Sequence, residues 1–248
     1  MQESLSTFSN LPSQRRHYVR AALLILGGAL LFALDLLAVA GKTGITVWDQ
    51  PVHGWFVAQR SHGATTLWEI VTTLSSPTYM TILGMVVAAL WAAVRRELWR
   101  PSLLLAAMAF TAVLSFVIKH LVARPRPAAA DFMMGPDGSF SFPSGHNLGA
   151  AVFVLVAAYL LLSRHSTAWG RAAAVGAAVV LVPAVAASRL YLGYHWLSDV
   201  MASMTLALVV LGLVMAVDTW RPLQKYSIAA RRPKAVPEPA PPLPQPSP

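Results

Sequence analysis

The sequence predicts an all-α protein, a bundle of six transmembrane helices with both termini on the cytoplasmic side. Three observations predict it. Six apolar runs of 17–20 residues recur along the 248-residue chain, each long enough to cross a hydrocarbon core of about 30 Å. Only 12% of the residues are charged, about half the share usual for a water-soluble domain. The connections on one side of the runs hold 13 of the 19 lysines and arginines.

Residues 1–20 form the cytoplasmic N-terminus, with Arg15, Arg16 and Arg20. The first run, 21–40, is the only one with a charge, Asp35. Backbone groups in lipid have no water to bond, so each run is read as a helix. The basic residues before this run and Ala38-Val39-Ala40 at its end also resemble a signal peptide. The run is longer than the roughly 7–15 residues of a signal core, so a retained span is expected. Segment 41–76 is too polar to span. Its Trp48, Trp55, Phe56 and Trp68 fit short helices along the outer interface, or a packed connector.

Runs 77–94 and 102–118 are joined through Arg95, Arg96 and Arg100, and runs 147–163 and 172–188 through Arg164 and Arg171. After the sixth run, 200–217, come Arg221, Lys225, Arg231, Arg232 and Lys234. By the positive-inside rule these connections face the cytoplasm. The membrane domain is therefore 21–217, followed by a cytoplasmic tail, 218–248, expected to be disordered from about 229, where it is rich in proline. The chain has no cysteine, which excludes disulfides and thiolate metal sites. Its net charge of +9 is not gathered into a basic patch interleaved with aromatics, so no nucleic-acid partner is expected.

Six cations break the charge rule: Lys42, Arg60, Lys119, Arg124, Arg126 and Arg189. Four of them lie in or beside three polar clusters. Lys119-His120-Leu121-Val122-Ala123-Arg124-Pro125-Arg126-Pro127 ends the third run, and Pro143-Ser144-Gly145-His146 opens the fourth. Ser188 to Asp199 joins the fifth to the sixth. Alternating helix directions put all three clusters on the outer side. Lys119, Arg126 and Arg189 are then three cations near membrane depth with only Asp199 as a nearby countercharge, an arrangement that suits an added anion. Guanidinium forks match phosphate oxygens, and Ser144 and Gly145 begin a helix whose free amides attract the same charge. His195 and Asp199, four residues apart, share one helical face. The carboxylate there fixes the imidazole tautomer and aims the other nitrogen as a nucleophile. His146, on another helix, is placed to protonate a leaving oxygen.

The order K-x6-RP (Lys119, Arg126, Pro127), PSGH (143–146) and SR-x5-H-x3-D (Ser188, Arg189, His195, Asp199) resembles the type 2 phosphatidic acid phosphatase superfamily, which includes vanadium haloperoxidases. The resemblance implies that Lys119, Arg126, Arg189, Ser144 and the Gly145 amide hold phosphate oxygens. It further implies that His195 forms a phosphohistidine oriented by Asp199, with His146 as acid and then base. Arg124 falls out of register with the motif and is left a supporting role. The implied activity is metal-independent, cofactor-free hydrolysis of a lipid phosphate or diphosphate at the outer face of a bacterial inner membrane. Undecaprenyl diphosphate, phosphatidylglycerophosphate and phosphatidic acid are the expected substrates. Phosphate transfer to another lipid, lipid A dephosphorylation, and non-catalytic binding or transport are the alternatives. The histidines His17, His53, His62 and His165 show no convergent partners and are read as surface residues, and oligomeric state is not written in the sequence.

Overall fold

A computed structural model describes the backbone of residues 2–163 and 167–231 and the side chains of 14–163 and 167–221. Eight α-helices follow one another: α1 (Gln2–Gly41), α2 (Asp49–Ala58), α3 (His62–Leu74), α4 (Pro77–Arg95), α5 (Trp99–Val122), α6 (Gly145–Leu162), α7 (Ala168–Tyr191) and α8 (Leu197–Arg231), with no strand among the described residues. Six of them, all but α2 and α3, contain segments long and apolar enough to cross a membrane. Arg164, His165 and the tail from 232 lie outside the described residues; α8 remains helical through Arg231, past the expected boundary at 217.

The helix ends follow local chemistry. Ser76 accepts a hydrogen bond from the Tyr79 amide, with Pro77 at the first helical position, and Thr167 accepts one from Gly170, so α4 and α7 have side-chain caps. At the other end of α5, Ala123 takes a left-handed conformation (φ 48°) and donates its amide to the Lys119 carbonyl. That turn ends the helix and sends Arg124 and Arg126 back over the bundle.

The core is built around α6. Leu148, Val152, Val156 and Leu160 form its buried stripe, and Leu104 of α5 and Leu206, Val210 and Val214 of α8 close on it. The N-terminal span α1 packs along α8. Opposite-running neighbours bring the end of α5, the start of α6, the end of α7 and the start of α8 to one end of the bundle. Helices α2 and α3 dock there through α7 and α8, burying Asp49, His53 and Thr72. Segment 41–76 thus packs against the bundle while Trp48 and Trp55 stay exposed.

Candidate active site

The first turn of α8 aligns the central pair. His195 precedes α8, and its Nδ1 lies 3.2 Å from Asp199 Oδ2. The same carboxylate oxygen accepts the Trp196 amide at 2.9 Å, so Asp199 caps its own helix while it orients the imidazole. Gly193 permits the preceding turn. It has φ of +85°, and a Cβ there would meet the Asp131 carbonyl oxygen at 2.3 Å. The other imidazole nitrogen, Nε2, sits 3.2 Å from Arg126 Nη1. Burial holds the His195 pKa well below its usual value, and Arg189, Arg126 and Lys119 push the same way. The imidazole is therefore neutral in the free protein, the form a nucleophile needs.

The start of α6 is tied to the start of α8. Ser203 Oγ donates to the carbonyls of Ser144 (3.0 Å) and Asp199 (2.8 Å), and Asn147 Nδ2 donates to the Val200 carbonyl at 3.0 Å. Ser144 occupies the N-cap position of α6 but does not cap it. Its hydroxyl is fully buried without a hydrogen-bond partner, unlike those of Ser76 and Thr167. A buried unpaired hydroxyl beside open helix amides is an orphan that an anion satisfies. A Cβ at Gly145 would stand 3.8 Å from Ser115 Oγ and 4.0 Å from Lys119 Cε, so glycine here keeps space free in front of the lysine stem.

The cations differ in what holds them. Arg189 is 4% exposed; its Nη1 donates to Thr72 Oγ1 at 2.7 Å, and its guanidinium lies 4.5 Å from the Tyr194 ring centre. Lys119 Nζ donates to the Phe140 carbonyl. Arg126 donates to the carbonyls of Ser139 and Tyr194, both at 2.7 Å, and pairs with Asp137 at 2.8 Å. Burial lowers the Arg126 pKa, against the pull of Asp137. For Asp137, burial raises the pKa, but the Ser139 amide and Arg126 outweigh it and leave the carboxyl below its usual value. His146 and Arg189 line a cavity of about 440 Å³ with Thr73, Ser76 and Asp137; His195 and Arg126 do not border it.

The three sequence clusters thus meet, and several partners join them that the sequence reading had not assigned. Asp199 is not the only countercharge and makes no direct ion pair with Lys119, Arg126 or Arg189; its other oxygen pairs with Arg124 at 2.5 Å. Arg124 bridges to Asp49 of α2 at 2.6 Å, and Asp49 also accepts from the Ser198 amide at 2.9 Å. Arg126 finds its carboxylate in Asp137. His53 is not a surface residue: it is 7% exposed and lies 2.9 Å from Asp131. Arg60 reaches the carbonyls of Asp131 (2.7 Å) and Tyr191 (3.0 Å), which accounts for one further outer cation. The signal available in the sequence was charge matching. Outer cations in excess of the positive-inside rule predict outer carboxylates, and Asp49, Asp131 and Asp137 are three of the ten acids. His120 packs on Phe116 at 4.2 Å, away from this network.

Comparison with known proteins agrees with this geometry. The sequence profile of the PAP2 superfamily matches residues 100–223. Phosphatidylglycerophosphatase B of Bacillus subtilis is 35% identical over 129 residues, 50% of this chain and 60% of that protein. Decaprenylphosphoryl-5-phosphoribose phosphatase of Mycobacterium tuberculosis is 36% identical over 130 residues, 51% of this chain and 65% of that protein. Each match therefore spans less than two thirds of the relative's length. The crystal structure of a transmembrane PAP2-type phosphatidylglycerolphosphate phosphatase from Bacillus subtilis shares the fold, with a TM-score of 0.68 at 24% identity, over 84% of this chain and 98% of that one.

Proposed function

Because this chain belongs to the PAP2 superfamily and is built on membrane-spanning helices, we propose that it hydrolyses a lipid phosphate through a phosphohistidine on His195. One observation carries the reading. The nitrogen of His195 opposite its Asp199 contact faces Arg126, within the field of Arg189 and Lys119. A phosphoryl group at that point meets a neutral nucleophile and compensating charge together.

In the first step Nε2 attacks phosphorus and the bond to the leaving oxygen breaks. His146 gives that oxygen its proton, and Asp199 stabilises the proton on Nδ1. In the second step His146 takes a proton from water, the water oxygen attacks phosphorus, and the P–N bond breaks to free His195. Lys119, Arg126, Arg189, Ser144 and the Gly145 amide hold the equatorial oxygens. Positive charge comes from side chains, so turnover is expected to survive a chelator.

Phosphatidylglycerophosphate, phosphatidic acid and undecaprenyl diphosphate are the substrates to assay, each with purified protein in mixed micelles with EDTA. Phosphate release by the native chain, none by His195→Ala, and an acid-labile, base-stable phosphoprotein after quenching are the expected results. Full activity of His195→Ala would sink the mechanism. The site is assigned to the periplasmic side of a bacterial inner membrane, because Arg15, Arg20, Arg95 and Arg100 gather at the opposite end. Gln59→Cys in this cysteine-free chain should react with an impermeant maleimide in intact cells, and Leu98→Cys should not; the reverse pattern overturns the orientation.

A further inference from the structure

Arg126 has no donor to spare. Its Nε donates to the Ser139 carbonyl, its Nη1 to the Tyr194 carbonyl and His195 Nε2, and its Nη2 to Ser139 Oγ at 2.8 Å. Asp137 Oδ2 stands 2.8 Å from the same Nη2. A guanidinium offers five N–H groups, so a phosphate oxygen gains Arg126 only by displacing one of these partners. Three of the contacts are made by backbone carbonyls or by the nucleophile. The one charged occupant is the Asp137 carboxylate.

That carboxylate is placed rather than incidental. The Ser139 amide and hydroxyl donate to its Oδ1 at 3.0 and 2.9 Å. The strap that carries it is pinned next to the nucleophile, since Tyr194 receives the Met134 amide at 2.9 Å and donates to the Gly135 carbonyl at 2.7 Å. Asp137 also borders the cavity that His146 and Arg189 line, the side on which the proposed mechanism releases the leaving group. Rotation of one side chain therefore exchanges its partner without opening the strap.

We propose that Asp137 is a specificity-determining residue: the resident counter-ion of Arg126, it yields that place to the substrate phosphate and then faces the leaving group. Which leaving group it favours rests on the phosphatase reading given above. A displaced carboxylate in a half-buried pocket needs a donor. A hydroxyl on the carbon next to the one that bears the scissile oxygen supplies one, as in a phosphate monoester of a polyol headgroup. A second phosphate on the scissile oxygen supplies none and adds like charge. Asp137 thus selects polyol phosphate monoesters against diphosphates.

Two measurements test this on the full-length protein. Binding of inorganic phosphate by calorimetry requires no turnover: Asp137→Asn should bind it at least about fivefold more tightly, and Asp137→Glu about as the native chain does. In turnover, the ratio of kcat/KM for phosphatidylglycerophosphate to that for a prenyl diphosphate should fall about tenfold in Asp137→Asn and hold in Asp137→Glu. Ser139→Ala, which loosens the carboxylate but keeps it, should move both readings in the same direction and serves if Asp137→Asn does not fold. Unchanged or weaker phosphate binding in a folded Asp137→Asn protein overturns the proposal, as does an unchanged ratio. If no lipid phosphate is hydrolysed, the function proposed above fails, while the binding measurement still decides whether Asp137 competes with phosphate.

Discussion

Each end of the bundle buries an arginine, and the two are held differently. At the end opposite the candidate site, Arg100 is 4% exposed and pairs with Asp218 at 2.8 Å. Ser163 and the Leu160 carbonyl take its other donors, and the Trp99 indole donates to the same aspartate at 3.1 Å. At the other end Arg189 is equally buried, yet its partners are a threonine hydroxyl and a tyrosine ring. Both leave Nε without a partner, so missing hydrogen bonds do not tell them apart. The countercharge does. A one-to-one ion pair is a clasp between α5 and α8, whereas a buried cation without a carboxylate is held ready for a mobile anion.

That difference can be broken from either side. The largest effect belongs to the proposed nucleophile: His195→Ala should lower phosphate release by about 10⁴-fold or more with little change in thermal stability. Next, Arg189→Met should cost about 10²–10³-fold in kcat/KM while leaving the melting temperature equal or higher, because it removes an uncompensated buried charge. Arg100→Met should do the reverse. It strands Asp218 and destabilises by about 3–5 kcal/mol, yet the protein that stays folded keeps its activity. Adding Asp218→Leu to it should restore most of the loss, as read by unfolding in detergent. If Arg100→Met proved catalytically dead while folded, the distinction between clasp and site would fail.

The smallest effect is electrostatic. Burial and three neighbouring cations depress the His195 pKa in the folded protein, so below about pH 6.5 the unfolded chain takes up a proton that the native state refuses. The stability from this group is present above that pH and is lost as pH falls toward the folded value. Nitrogen-detected NMR of the free protein should show His195 still neutral at the ordinary histidine titration point, about pH 6.5. Arg189→Met should bring its pKa upward, because one opposing charge has gone.

Spans were legible in the sequence because lipid imposes one strong rule, a run of about 20 apolar residues per crossing. The three motif clusters were legible because their chemistry is local: His195 and Asp199 lie one helical turn apart, and Ser144 and Gly145 lie at a helix start. What escaped was long-range pairing. Asp49 is 75 residues from Arg124 in the chain, and Thr72 is 117 from Arg189; no periodicity announces such partners. For segment 41–76 the sequence left an interfacial and a packed reading open, and its composition, dominated by tryptophans, did not reveal that Asp49 and Thr72 are buried against the candidate site. Composition records what a segment exposes, and pairing depends on where the chain returns.

Arg124 joins a carboxylate from the first extramembrane segment to one from the last helix. The region that carries all three motifs begins well after Asp49, so a fragment starting at α5 would present every reacting group and still lack half of this bridge. Because synthesis runs from the N-terminus, α2 is made before α8, and Asp49 can meet Ser198 only once α8 has been added. Closure of this bridge therefore depends on α2 and α8 both being in place, so neither helix alone fixes Arg124.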